Sequence, residues 1–134
     1  MERQRYLMDS NAVIDYLGGR FSAAGMAFMH NIVDEVPVVS VITKIELLGF
    51  NAPAQHQLLL NSFIEDAQVI GLTDEIVDTC IALRKTHKIK LPDALIAATA
   101  LVNGLTLISR NTVDFRKIQL LQVVDPHLLE PPAS

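Results

Sequence analysis

Residues 91–115 read LPDALIAATALVNGLTLISRNTVDF, and the order of elements in this stretch decides the fold. Pro92 suits the first helical position, where its missing N–H leaves nothing unpaired. Asp93 beside it falls in the first turn, where the helix dipole favours an anion. On a helix Asp93 shares a face with Ile96, Ala97 and Ala100, so its carboxylate is expected over packed surface rather than open water. Gly104 stops the helix, Leu105 to Ile108 reads as a strand, and Ser109, Arg110 and Asn111 punctuate its carboxyl end. Asp114 arrives one short turn later, between Val113 and Phe115. An acid at the start of a buried helix and another just past a strand point to an open α/β sheet, with a site outside the carboxyl ends of its strands.

The preceding sequence repeats that alternation. Tyr6 to Met8 reads as a short strand ending in Asp9-Ser10-Asn11, followed by helical spacing from Ala12 to Leu17 that Gly18-Gly19 closes. A helix over Ser22 to Val33, a strand at Val38 to Val41 and a helix over Thr43 to Phe50 come next. Glu46 falls on the Ile42, Gly49 and Phe50 face of that last helix, a second acid among apolar residues. Pro53 opens a helix to about Glu65, a strand follows at Gln68 to Leu72, and Thr73 caps a helix to about Lys88. After Asp114 the last strand spans Leu120 to Val124. Parallel strands joined by helices predict a three-layer α/β/α sandwich around a mostly parallel sheet of about five short strands. We expect one domain over residues 1–128 and a flexible, proline-bearing tail over 129–134.

With half of its 134 residues apolar and 19% charged, the chain has a globular composition able to bury roughly two-thirds of its unfolded surface. A net charge of −4 argues against whole-molecule attraction to polyanions, so any nucleic-acid contact must be local. Cys80 is the only cysteine, which excludes an internal disulfide and cysteine-rich zinc sites and makes an intracellular setting the expectation. The N-terminus carries basic residues but only Tyr6, Leu7 and Met8 before Asp9, so no secretory signal is read there. The longest uncharged run, Ala94 to Ser109, is too short to span a bilayer, and a soluble protein is expected.

Asp9, Glu46, Asp93 and Asp114 each sit in apolar sequence at an element end or on a face expected to pack. Burying one unpaired carboxylate costs several kcal/mol, and clustering adds repulsion that a divalent cation relieves. All-oxygen ligands favour Mg²⁺ or Mn²⁺, and such a site suits phosphodiester hydrolysis. The alternative is that these acids are caps and surface ion pairs, because spacing alone does not bring them together.

Four motifs carry a family resemblance. Met8-Asp9-Ser10-Asn11 with Val13-Ile14-Asp15, Thr43-Lys44-Ile45-Glu46-Leu47-Leu48-Gly49, Leu91-Pro92-Asp93-Ala94-Leu95-Ile96-Ala97-Ala98, and Ile108-Ser109-Arg110-Asn111 with Asp114-Phe115 resemble PIN-domain nucleases. The branch they are most similar to is the VapC-type ribonuclease toxins, and the resemblance covers nearly the whole chain. It implies a Mg²⁺- or Mn²⁺-dependent, cytoplasmic endoribonuclease that acts on RNA, is inhibited by a small antitoxin and forms a homodimer. By motif match Asp9, Glu46, Asp93 and Asp114 correspond to the family's acids. Asp9 and Asp93 would hold the main metal, Glu46 would help hold it or activate water, and the family's fourth acid, here Asp114, varies. Ser109 would hydrogen-bond an acid or a metal-bound water; Ser10, Asn11 and Asn111 share that role or are turn and cap residues. Asp15 also matches the family pattern, and a structural role on the first helix is expected for it.

Arg84, Lys85, Lys88 and Lys90 form the one basic cluster, leading into Asp93, and Lys44 and Arg110 adjoin motif residues. All are candidate phosphate contacts, or else a solvated helix end and neutralising charges. The four histidines show no ligand spacing, and Cys80 reads as core. Leu58, Leu59, Leu60 and Phe63 exceed the needs of one buried face, which suits either ordinary core or a partner surface. Two rival functions stand beside the nuclease: a PIN-like module that binds RNA or protein without cleaving, and a phosphoacceptor receiver domain.

Overall fold

The computed structural model describes residues 4–131. Strands and helices alternate as β1 (Tyr6–Met8), α1 (Ser10–Leu17), α2 (Ala23–Asp34), β2 (Val38–Ser40), α3 (Val41–Leu48), α4 (Ala54–Asp66) and β3 (Gln68–Ile70). They continue as α5 (Asp74–Thr86), α6 (Leu91–Asn103), β4 (Thr106–Ile108), α7 (Thr112–Phe115) and β5 (Val123–Val124), and end in a 3₁₀ turn at Pro126–Leu128.

Every hydrogen-bonded strand pair is parallel. β1 pairs with β4, placing Leu7 opposite Leu107, and β4 pairs with β5; β2 pairs separately with β3. β1 lies beside β2, so the spatial order is β5-β4-β1-β2-β3. Successive strand residues face opposite sides, and the two cores follow that alternation. Leu7, Val38 and Leu107 pack with α5, α6 and Phe115 of α7 on one side. Met8, Val39 and Ile108 pack with α1, α2, α3 and α4 on the other. The sheet is thus covered on both faces, as a parallel sheet with helical crossovers requires, and the three-layer sandwich expected from the sequence is what forms.

α6 begins one residue before Pro92 and buries Ala94, Ile96, Ala97, Ala98, Thr99 and Ala100. Such small side chains leave little room between α6 and its neighbours. Gly104 ends it with φ 65°, in the left-handed region, while the Leu105 N–H donates to the Ala100 carbonyl at 2.9 Å.

β1 has the expected bounds, and the other four strands are shorter than expected. Ser40 caps a helix that starts at Val41, its Oγ accepting from the Ile42 N–H at 3.0 Å, so β2 stops before Val41. Leu120 has φ 71° and is 89% exposed, which takes it out of the last strand. Of the expected tail, residues 129–131 carry no helix or strand, and 132–134 lie outside the described residues. No described helix is long and apolar enough to cross a membrane.

Candidate active site

The carboxyl ends of β1 and β4 lie side by side, and the residues just past them build the site. Asp9 follows β1 and caps α1: its Oδ1 accepts from the Ser10 N–H at 2.8 Å. Ser109 follows β4, and its hydroxyl donates to Asp9 Oδ2 at 2.8 Å. Asn11 Nδ2 lies 3.2 Å from both Asp9 Oδ2 and Ser109 Oγ, and its Oδ1 accepts from the Arg110 N–H at 3.1 Å. The Asn111 N–H donates to Ser109 Oγ at 3.0 Å, and Asn111 Nδ2 donates to Asp114 Oδ2 at 3.2 Å. Asp114 sits in the first turn of α7, which Asn111 caps.

Glu46 comes from α3. It is exposed rather than packed on an apolar face, which corrects the expectation; a two-turn helix leaves one side to solvent, and Ile45 and Leu48 beside it are exposed too. Ser10 Oγ donates to Glu46 Oε1 at 2.7 Å and so draws Glu46 toward the end of β1. Asp93 lies half-buried in the first turn of α6.

The electrostatics link the four acids. Burial raises Asp9 from 3.8 to about 6; the bonds from Ser109 and Ser10 oppose the rise, and the charges of Asp93 and Glu46 add to it. Asp93 is also raised, first by burial, then by Asp114 and Glu46, with Lys90 opposing. Among the described residues none of the four has a cation within salt-bridge distance, and every such bridge converges on Asp15 instead. Nor do three acid, histidine or cysteine side chains stand within reach of one shared ion among those residues. The acids are therefore neighbours in field around an open site, not a closed ligand cage. Their donor chemistry fits a hard divalent cation: all oxygen, net negative and, among the described residues, without a salt bridge to a protein cation.

Of the basic residues singled out in the sequence, Arg84 and Lys85 occupy the last turn of α5, while Lys88 and Lys90 lie in the connection to Asp93. Lys44 is exposed on α3. Arg110 reaches back to Asp15, its Nη1 3.5 Å from Oδ2, with its side chain 58% exposed. Sequence reasoning missed the partner of Asp15: His127 Nε2 lies 2.8 Å from Asp15 Oδ2 across a separation of 112 residues. No local pattern signals such a contact.

The sequence model of the PIN domain family matches residues 6–120. A chain of a toxin–antitoxin complex from Klebsiella pneumoniae is 31% identical, with a TM-score of 0.71 over 90% of this chain and 97% of that one. A chain of the DNA-bound VapBC complex from Salmonella typhimurium is 20% identical, with a TM-score of 0.76 over 92% of this chain and 99% of that one. A chain of FitAcB from Neisseria gonorrhoeae, 21% identical, superposes with a TM-score of 0.72 over 92% and 99% of the two chains. The latter two share the fold. No curated protein sequence matches the chain.

Proposed function

Since the chain belongs to the PIN domain family, we propose that it is a VapC-type endoribonuclease, dependent on Mg²⁺ or Mn²⁺, hydrolysing RNA phosphodiester bonds as the toxin of a type II toxin–antitoxin pair. The observation that carries the proposal is Asp9: a carboxylate only 5% exposed, raised to about 6, with Asp93 and Glu46 as charged neighbours and no salt bridge to a cation among the described residues. Such an arrangement costs stability in the free protein, and a bound cation offsets that cost.

Asp9 and Asp93 would hold the metal, with Glu46 and Asp114 completing its surroundings. When bound, Mg²⁺ or Mn²⁺ would lower the pKa of a coordinated water and offset charge developing on phosphate oxygens. Ser109, Asn11 and the Ser10 N–H fix the Asp9 carboxylate and favour its ionised form. Glu46, exposed and held by Ser10, would accept the proton of the attacking water. Asn111 orients Asp114. Lys90, Lys88, Lys44, Arg84, Lys85 and Arg110 would meet RNA phosphates locally, on a chain whose net charge of −4 offers no general attraction.

A small antitoxin is the proposed partner. The likeness to a chain of the Klebsiella pneumoniae toxin–antitoxin complex supports it, as do Ile45, Phe50, Leu58 and Leu59, at 62%, 65%, 69% and 52% exposed. We further propose a homodimer, a cytoplasmic location consistent with the single free Cys80, and a nuclease domain over residues 1–128.

The test is incubation of a mixed RNA pool with antitoxin-free protein in Mg²⁺, in Mn²⁺ and in EDTA, beside Asp9→Asn. Cleavage with either metal, absent in EDTA and in the variant, is expected. Folded protein that binds metal yet cleaves no RNA would favour a PIN-like binding module instead.

A further inference from the structure

A further carboxylate, outside the four acids, is buried on α1. Asp15, on the helix that Asp9 caps, is 1% exposed. Its Oδ2 meets His127 Nε2 at 2.8 Å and Arg110 Nη1 at 3.5 Å, and its Oδ1 meets Arg20 Nη1 at 3.6 Å. Both arginine side chains are more than half exposed, so solvent screens them, whereas the His127 side chain is 31% exposed and makes the shortest contact.

Arg110 sits in the middle of the acid site's own turn. Ser109 before it donates to Asp9, and Asn111 after it donates to Asp114. The turn is tied to α1 and its cap by four side-chain contacts: Ser109 to Asp9, Asn11 Nδ2 to Ser109 Oγ, the Arg110 N–H to Asn11, and the Arg110 guanidinium to Asp15. The last of these ends on Asp15 Oδ2, the same oxygen that His127 of the C-terminal segment meets.

That segment is held in place by contacts of its own. Asp125 Oδ1 accepts from the His127 N–H at 2.9 Å, and the Phe21 ring lies against the imidazole with centroids 4.4 Å apart. Pro126 is buried so close to α2 that a Cβ on Gly25 would stand 2.5 Å from its carbonyl oxygen. The match to the family's sequence model ends at residue 120, before this segment begins.

We infer that residues 125–129 form a strap whose His127 fixes Asp15, and that Asp15 through Arg110 positions the turn at 109–111 and hence the Asp9 and Asp114 carboxylates. His127 and Asp15 are positioning residues. The inference rests on the reading of the four acids as a metal site.

The experiment compares wild type with His127→Ala, His127→Gln and Arg110→Gln, using Mn²⁺ titration followed by electron paramagnetic resonance, amide hydrogen exchange over 109–111, and RNA cleavage. His127→Ala should weaken Mn²⁺ binding by about 10-fold or more and speed exchange at 109–111. It should lower kcat by a larger factor than it raises KM for RNA, since of the proposed phosphate contacts only Arg110 lies in the released turn. His127→Gln, whose amide can still donate to Asp15, should recover most of the affinity. Leu83→Ala, a core truncation in α5, controls for general destabilisation and should leave both readouts unchanged. Wild-type Mn²⁺ affinity and exchange in folded His127→Ala would overturn the inference, as would an equal loss in Leu83→Ala. Should His127→Ala fail to fold, Arg110→Gln decides by the same two readouts. Wild type that binds no Mn²⁺ would sink the functional reading alone, because exchange at 109–111 still judges the strap.

Discussion

Ser109 Oγ donates to Asp9 Oδ2 at 2.8 Å, joining residues 100 positions apart in the chain. The bond is the largest influence opposing the burial that pushes Asp9 up to about 6. Ser109→Ala should therefore raise the Asp9 pKa further and weaken Mn²⁺ binding about 10-fold or more. Carbon-detected NMR titration of the Asp9 carboxyl reads the first effect; a midpoint that stays put or falls would show that the hydroxyl does not stabilise the carboxylate.

Asp9 also makes metal-free stability depend on pH. Its folded-state value, about 6, lies above the ordinary 3.8, so the folded chain holds this proton more tightly than the unfolded chain. The Asp9 contribution is thus present at low pH and is lost as pH rises from about 4 through 6. A shift of about two units corresponds to roughly 3 kcal/mol, an upper value. Asp9→Asn should stabilise metal-free protein at pH 7 by about 1–2 kcal/mol, and the difference should vanish near pH 4. Urea unfolding of both proteins across that range measures it. A variant less stable than wild type at pH 7 would contradict the cost assigned to the charge.

Metal binding should carry the opposite trend. Because Asp9 must be ionised to act as a ligand, the stabilisation by Mg²⁺ or Mn²⁺ should be large above pH 7 and fade below about 6. At a hundred times the dissociation constant it amounts to about 2.7 kcal/mol. Thermal melts at pH 7.5 and 5.5, with metal and with EDTA, give the comparison. Equal metal-induced shifts at both pH values would remove Asp9 from the ligand set.

Asp93 and Asp114 should differ in weight. Asp93 carries a raised pKa, caused first by burial and then by Asp114 and Glu46, whereas Asp114 is anchored to Asn111. Asp93→Asn should lower kcat by about 10³-fold without lowering the melting temperature, and Asp114→Asn by about 10-fold. Single-turnover cleavage assays distinguish them; activity surviving in Asp93→Asn would exclude it from the mechanism.

Gly25→Ala tests the packing of the C-terminal segment on α2. The added Cβ would meet the Pro126 carbonyl oxygen at 2.5 Å, so one of the two must move. A destabilisation of about 1–3 kcal/mol in urea unfolding is expected. No change in stability would mean that the segment is not packed as tightly as the contact implies.

Much of the fold was legible because its signals are short-range. The apolar run from Ala94 to Ala100, the stop at Gly104 and the cap at Thr73 place helix ends without knowledge of neighbours. Strand lengths were less legible: three residues of β4 read like four, and nothing local announces the positive φ of Leu120. In the site, the unusual placement of Asp9 and Asp93 among apolar residues was visible. The exposure of Glu46 was not, because a two-turn helix gives too little periodicity to tell its buried face.

The sequence by itself determined the alternation of strand and helix, the ends of the longer helices and the placement of Asp9 at a strand end among apolar residues, where it is buried. Only the tertiary structure decided which groups meet. The strand order β5-β4-β1-β2-β3 sets Asp9 beside Ser109, Ser10 beside Glu46, and His127 against Asp15. The physical reason is range: capping and periodicity act over a few residues, whereas these contacts depend on how packed layers bring distant segments together.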